Sequence, residues 1–128
     1  MSKIHTKYIG NSTASTESPI SQTPIQTKVG LFDPVDLLST ALGSCIVSYI
    51  AHTSKKNRID ISNISSVINL TMNNQHTKVT EFDIIITLNS PILEEHKAII
   101  EQAAKTCPVS NTIASDVKKN FTFIYNEA

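Results

Sequence analysis

The run Asp33-Pro34-Val35-Asp36-Leu37-Leu38-Ser39-Thr40-Ala41-Leu42-Gly43-Ser44-Cys45-Ile46-Val47-Ser48-Tyr49-Ile50 decides the fold. Asp33 suits an N-cap, Pro34 the first helical position, and Asp36 puts negative charge into the first turn. Leu37, Leu38, Ala41, Leu42, Cys45, Ile46, Tyr49 and Ile50 recur at helical spacing, which predicts a helix from Pro34 to about Lys56. Few charges interrupt it between Asp36 and Lys55, so it is apolar on most of its circumference and should be buried on more than one side. Gly43 costs the helix about 1 kcal/mol against alanine, which points to close approach of another backbone. Lys55-Lys56-Asn57-Arg58 reads as a solvated helix end, with positive charge complementing the dipole.

Beyond this helix the chain turns to β-branched residues. Ile61, Ile64 and Val67, then Ile68, Leu70 and Met72 in alternation, predict a strand. Asn73 to His76 make a turn, and Val79–Leu88 forms the partner strand, with Phe82, Ile84, Ile86 and Leu88 on one face of a long antiparallel hairpin. Ser90-Pro91 is read as the capped start of a second helix, whose buried face carries Ile92, Leu93, His96, Ile99, Ile100, Ala103 and Ala104. Cys107-Pro108 opens a short third helix to about Val117, and Phe121, Phe123 and Tyr125 alternate in a last strand. Upstream, Lys3–Ile9 alternates as a short strand, and Gly10 to Pro19 is turn-forming. Ile20–Lys28 is a weaker strand, broken by Pro24. The order predicts a single α+β domain over residues 1–128, with helices packed on an antiparallel sheet.

Composition narrows the partners. Lys+Arg and Asp+Glu both number 11 in 128 residues, and the pI is near 6.9. Such balance removes the basic stripe that nucleic acid requires and disfavours an anionic membrane surface. Hydrophobic residues make up 40%, enough for a core. No window is expected to reach the roughly 18 apolar residues of a membrane span. The start, MSKIHTKYIG, has no apolar signal-peptide centre, so the expected location is the cytoplasm.

Chemistry centres on two cysteines, Cys45 and Cys107. Cys45 lies mid-helix among apolar neighbours, where a thiol packs as a small hydrophobe and is inert, or else is reactive if exposed to a substrate. Cys107 directly precedes a proline at a helix start, where two readings stand level: unpaired N–H groups favour a thiolate, or the residue only caps the helix. Spacing cannot say whether the two sulfurs meet. A metal held by these cysteines with His5, His52, His76 or His96 is not expected, because no pair has the close spacing of a zinc site. Glycines occur only at positions 10, 30 and 43, which leaves no phosphate loop, and there is no serine nucleophile elbow.

The segment Asp33 to Cys45 resembles the stretch around the first cysteine of the OsmC/Ohr family, the osmotically inducible and organic hydroperoxide resistance proteins. Cys107-Pro108-Val109-Ser110 resembles the stretch around its second. The resemblance implies a thiol-dependent peroxidase acting on organic hydroperoxides. Cys45 would attack the peroxide, Cys107 would close a disulfide with it, and an external thiol or dithiol would restore both, with no cofactor. It also implies an intertwined homodimer, with the long cysteine-bearing helix central and sites at the subunit interface. In the family an N-terminal arginine stabilises the thiolate and is held by an acid after the helix-opening proline. Here that acid corresponds to Asp36, one place later than usual. The only arginine is Arg58, and the N-terminal cations are Lys3, His5, Lys7 and Lys28. The alternative implied by this departure is a non-enzymatic redox-sensing or small-molecule-binding dimer.

Overall fold

The computed structural model describes residues 3–18, 23–61 and 63–126, in two compact units that divide between Leu38 and Ser39. The first unit carries a three-stranded antiparallel sheet of β1 (His5–Gly10), β2 (Thr13–Glu17) and β3 (Ile25–Lys28), in that order. β2 corrects the expectation of an irregular segment from Gly10 onward. Asn11 and Ser12 both have positive φ, 53° and 57°, the conformation of a tight hairpin turn, and this folds the Thr-rich stretch back on β1. There Thr6 and Thr16 hydrogen-bond through their hydroxyls at 2.9 Å. The expected strand over 20–28 begins only at Ile25, after Pro24, and its residues 20–22 lie outside the described residues.

The helix α1 spans Pro34–Lys56, as its spacing predicts. Its start is organised differently from a simple side-chain cap. Asp33 C=O accepts the N–H groups of Asp36 (2.9 Å) and Leu37 (3.3 Å). Asp33 N–H donates to Asp36 Oδ2 at 2.8 Å, while Asp33 Oδ1 turns back to accept Gly30 N–H at 3.0 Å. The far end closes in a Schellman turn. Ile59 N–H donates to Ser54 C=O (2.8 Å) and Arg58 N–H to Lys55 C=O (3.2 Å), with Arg58 itself at φ 59°.

The second unit holds β4 (Ile64–Met72), β5 (Val79–Leu88) and β6 (Lys118–Tyr125), with β5 central. β4 and β5 form the expected antiparallel hairpin, but β6 runs parallel to β5, so the sheet is mixed rather than antiparallel. One face is read directly from the register: Ser66, Ile68 and Leu70, then Phe82, Ile84 and Ile86, then Lys119, Phe121 and Phe123. Phe82, Ile84, Ile86 and Leu88 are essentially fully buried.

α1 lays Leu42, Ile46, Ile50 and Ser54, one residue per turn, into this core. Gly43 makes the approach possible, since a Cβ there would stand 2.9 Å from Ser66 Oγ and 3.4 Å from Ile68 Cδ1. The close neighbour is therefore two side chains of β4 rather than another backbone. The expectation that no stretch matches a membrane span is also corrected: α1, at 23 residues, is long and apolar enough to cross one. Ser39, Thr40, Gly43, Ser44 and Ser48 break its apolar run without adding charge. One stripe of it packs within the chain, so the expectation of burial on more than one side is corrected: its other faces are exposed or half-buried.

Two shorter helices follow. α2 is Glu94–Lys105 and α3 is Pro108–Thr112, so both are shorter than expected. α2 starts after Leu93, which is extended (φ −66°, ψ 145°) and 59% exposed, instead of at Ser90 and on the buried face. Extended backbone before Glu94 lets Ile92 turn inward. His96 and Ile99 are half-buried, whereas Ile100, Ala103 and Ala104 are buried. α3 stops at Ile113, whose backbone is extended (ψ 136°), well short of Val117.

Candidate active site

Cys45 sits on α1 one position before the buried Ile46 and is half-buried. Cys107 is the N-cap residue of α3 and is fully buried. The fold brings Cys45, far away in sequence, close enough to Cys107 to raise its pKa, and both are free thiols. α1 supplies one from the core helix and the α2–α3 junction supplies the other. That junction is held by its own side chains. Thr106 Oγ1 donates to Gln102 C=O (2.8 Å), Asn111 Nδ2 to Thr106 C=O (3.1 Å), and Thr112 Oγ1 to Pro108 C=O (2.8 Å).

Burial pushes the Cys107 thiol above its ordinary pKa, because it disfavours the charged thiolate. The N–H of Ser110 acts in the opposite direction, the adjacent Cys45 adds to the rise, and the N–H of Val109 again lowers it. Cys107 makes no side-chain cap hydrogen bond at the helix start, and desolvation outweighs the influence of the nearby N–H groups. The expectation that the helix start favours a thiolate at Cys107 is corrected on that ground. A five-residue helix also has little dipole to offer.

Asp36 belongs to the first unit, and its carboxylate closes the opening of α1 through Asp33 N–H. Arg58 lies at the other end of that helix, exposed in the Schellman turn. Among the described residues, no three His, Cys, Asp or Glu side chains converge as metal ligands would.

A residue that sequence reasoning missed is Lys119. Its ammonium donates to Ser110 C=O at 2.8 Å and reaches Ser110 Oγ at 3.4 Å. The signal was present in the last strand: Lys119 shares the alternation of Phe121, Phe123 and Tyr125, which makes it the charged member of an inward-facing row. Beside the cysteines, an open cleft of about 590 Å³ runs between α1 and α2. It is lined by Tyr49, one turn beyond Cys45, and by Ile99, Ala103 and Thr106, the last of which precedes Cys107.

Comparison with known proteins identifies the family and the fold. The family described as OsmC-like protein matches residues 27–121, and the chain belongs to that family. Among solved structures it is similar to a Psychrobacter arcticus protein assigned to osmotic stress induction and detoxification. That pair is 28% identical, with a TM-score of 0.83 over 98% of this chain and 96% of that one. An OsmC-like protein from Mycoplasma pneumoniae is 20% identical, with a TM-score of 0.87 over 98% and 97%. The organic hydroperoxide resistance protein OhrB of Bacillus subtilis is 15% identical, with a TM-score of 0.71 over 96% and 97%, and supports the fold alone. A search of curated proteins gives no match.

Proposed function

We propose that the chain is a thiol-dependent peroxidase that reduces organic hydroperoxides through Cys45 and Cys107. What supports this reading is the nearness of the two free thiols, Cys45 on α1 and Cys107 at the start of α3. The Cys45 thiolate attacks the peroxide: an S–O bond forms, the O–O bond breaks, and the alkoxide leaves as an alcohol on taking up a proton. Cys45 is then a sulfenic acid. The Cys107 thiolate attacks that sulfur, the S–S bond forms, and the S–O bond breaks. The departing hydroxide takes up a proton as water. An external thiol or dithiol returns the disulfide to two thiols by exchange. Such a cycle requires a reducing compartment, and we assign the protein to the cytoplasm.

The half-buried Cys45, rather than the fully buried Cys107, is the sulfur a peroxide can reach. The cleft beside it favours an organic tail, because apolar area buried there stabilises the complex by about 25 cal/mol per Å². Asp36 is assigned an indirect part, fixing the start of the helix that carries Cys45. A homodimer completes the proposal. Ala41, Cys45 and Tyr49 form a stripe on α1 that the chain leaves open, with Tyr49 37% exposed, and a second copy would enclose the sulfur in an apolar site.

The position of Arg58, the chain's sole arginine, at the far end of α1 favours a second reading, a dimer that senses redox state or binds a small molecule without rapid turnover. Initial rates with an alkyl hydroperoxide and a dithiol separate the two. The peroxidase reading predicts oxidation at least about a hundredfold faster than a free thiol's, abolished in Cys45→Ser. Oxidation at the free-thiol rate supports the second reading. Full turnover in Cys45→Ser contradicts the assignment of roles.

A further inference from the structure

Tyr49 follows Cys45 by four positions on α1, so the two side chains share one face, about 6 Å apart along the helix axis. Each stands one place before a buried member of the core stripe, Ile46 or Ile50. Neither is sealed in: Cys45 is half-buried and Tyr49 is 37% exposed. An aromatic side chain on a helix leans toward the N-terminus and covers the turn before its own Cα. For Tyr49 that is the turn of Cys45. The chain has three tyrosines, and two are engaged elsewhere. Tyr8 accepts the N–H of Ser12 at 3.2 Å and Tyr125 donates to Glu101 at 2.7 Å, whereas Tyr49 lines the cleft beside the cysteines.

None of the described residues lining that cleft is charged. Its other hydroxyls belong to Thr53, a further turn from Cys45, and to Thr106, which already donates to Gln102 C=O at 2.8 Å. A phenol is also a far stronger acid than either alcohol. We propose that Tyr49 is a catalytic residue, the acid that protonates the departing oxygen of an alkyl hydroperoxide. The inference deepens the peroxidase reading above and rests on it. As the Cys45 thiolate takes the terminal oxygen, the S–O bond forms and the O–O bond breaks, with both electrons of the broken bond passing to the alkoxide oxygen. The Tyr49 O–H gives its proton to that oxygen, the alcohol leaves, and the phenolate recovers a proton from water. An alkoxide is too strong a base to leave readily without that proton. A carboxylate, the leaving group of a peroxycarboxylic acid, needs none.

The difference between these two oxidants supplies the test. Stopped-flow rates of Cys45 oxidation are measured for the wild type and for Tyr49→Phe, which keeps the ring and loses the proton. Tyr49→Phe is expected to slow oxidation by an alkyl hydroperoxide about a hundredfold. Oxidation by the peroxycarboxylic acid of similar size should be unchanged. An undiminished rate with the alkyl hydroperoxide would overturn the proposal. Equal slowing with both oxidants would do the same, since it would mark a packing effect or a loss of thiolate. If Tyr49→Phe fails to fold, Tyr49→Leu is judged by the same ratio of the two rates. A wild-type chain oxidised by both reagents at the free-thiol rate would remove the peroxidase reading, and this inference with it. A fast wild type matched by Tyr49→Phe would remove the inference alone.

Discussion

Cys107 is governed by two opposed influences, burial against two backbone donors, and burial prevails. A thiol whose folded pKa is raised favours folding while it stays protonated. That stability is fully present below the ordinary thiol value of about 8.5 and is lost as pH climbs through the raised one. Tyr125 acts with the same sign. Burial and then its hydrogen bond to Glu101 (2.7 Å) push the phenol well up. Disulfide closure draws on the thiolate, so its rate should rise with pH through the range in which free thiols already level off. Stopped-flow closure rates from pH 6 to 10 check this, and a plateau near pH 7 would contradict the raised value. Both cysteines could be singled out from the sequence, yet their nearness could not, because the fold brings together positions far apart along the chain. The direction of the Cys107 shift was hidden for the same reason: local N–H groups are legible from Cys-Pro, whereas desolvation depends on what packs above.

At the scale of elements, α1 and β5 match their predicted bounds because their signals are local: Asp-Pro at one helix end, Lys-Lys at the other, and strict alternation in the strand. β6 was legible as a strand but its direction was not, since parallel pairing with β5 is a tertiary choice. α2 and α3 were over-extended because a serine before a proline and a run of small polar residues imitate helix signals that backbone geometry overrides. The C-terminus of α1 offers a clean test. Arg58 holds a left-handed φ of 59° that glycine adopts without strain. Arg58→Gly should stabilise the chain by about 1 kcal/mol, raising the thermal midpoint by several degrees. Because this arginine lies away from the thiols, peroxide reduction should be unaffected. A loss of activity in Arg58→Gly would place the cation in the reaction after all.

For the molecule as a whole, zero formal charge and an apolar helix stripe are consistent with the proposed uncharged substrate and the proposed homodimer. Ala41→Glu puts a charge into the open stripe of α1 without touching the core, because Ala41 is exposed on this chain. Light scattering should show a dimer for the wild type and a shift toward monomer for the variant; a wild-type monomer would refute the shared site. The central claim, that Cys45 and Cys107 act as a redox pair, is tested most directly by intact mass after brief treatment with one equivalent of an alkyl hydroperoxide. A loss of about 2 Da, with both thiols closed to alkylation and the change reversed by dithiol, is the predicted result. A gain of about 16 Da or more that never proceeds to the disulfide, or two thiols that remain open to alkylation, would contradict it.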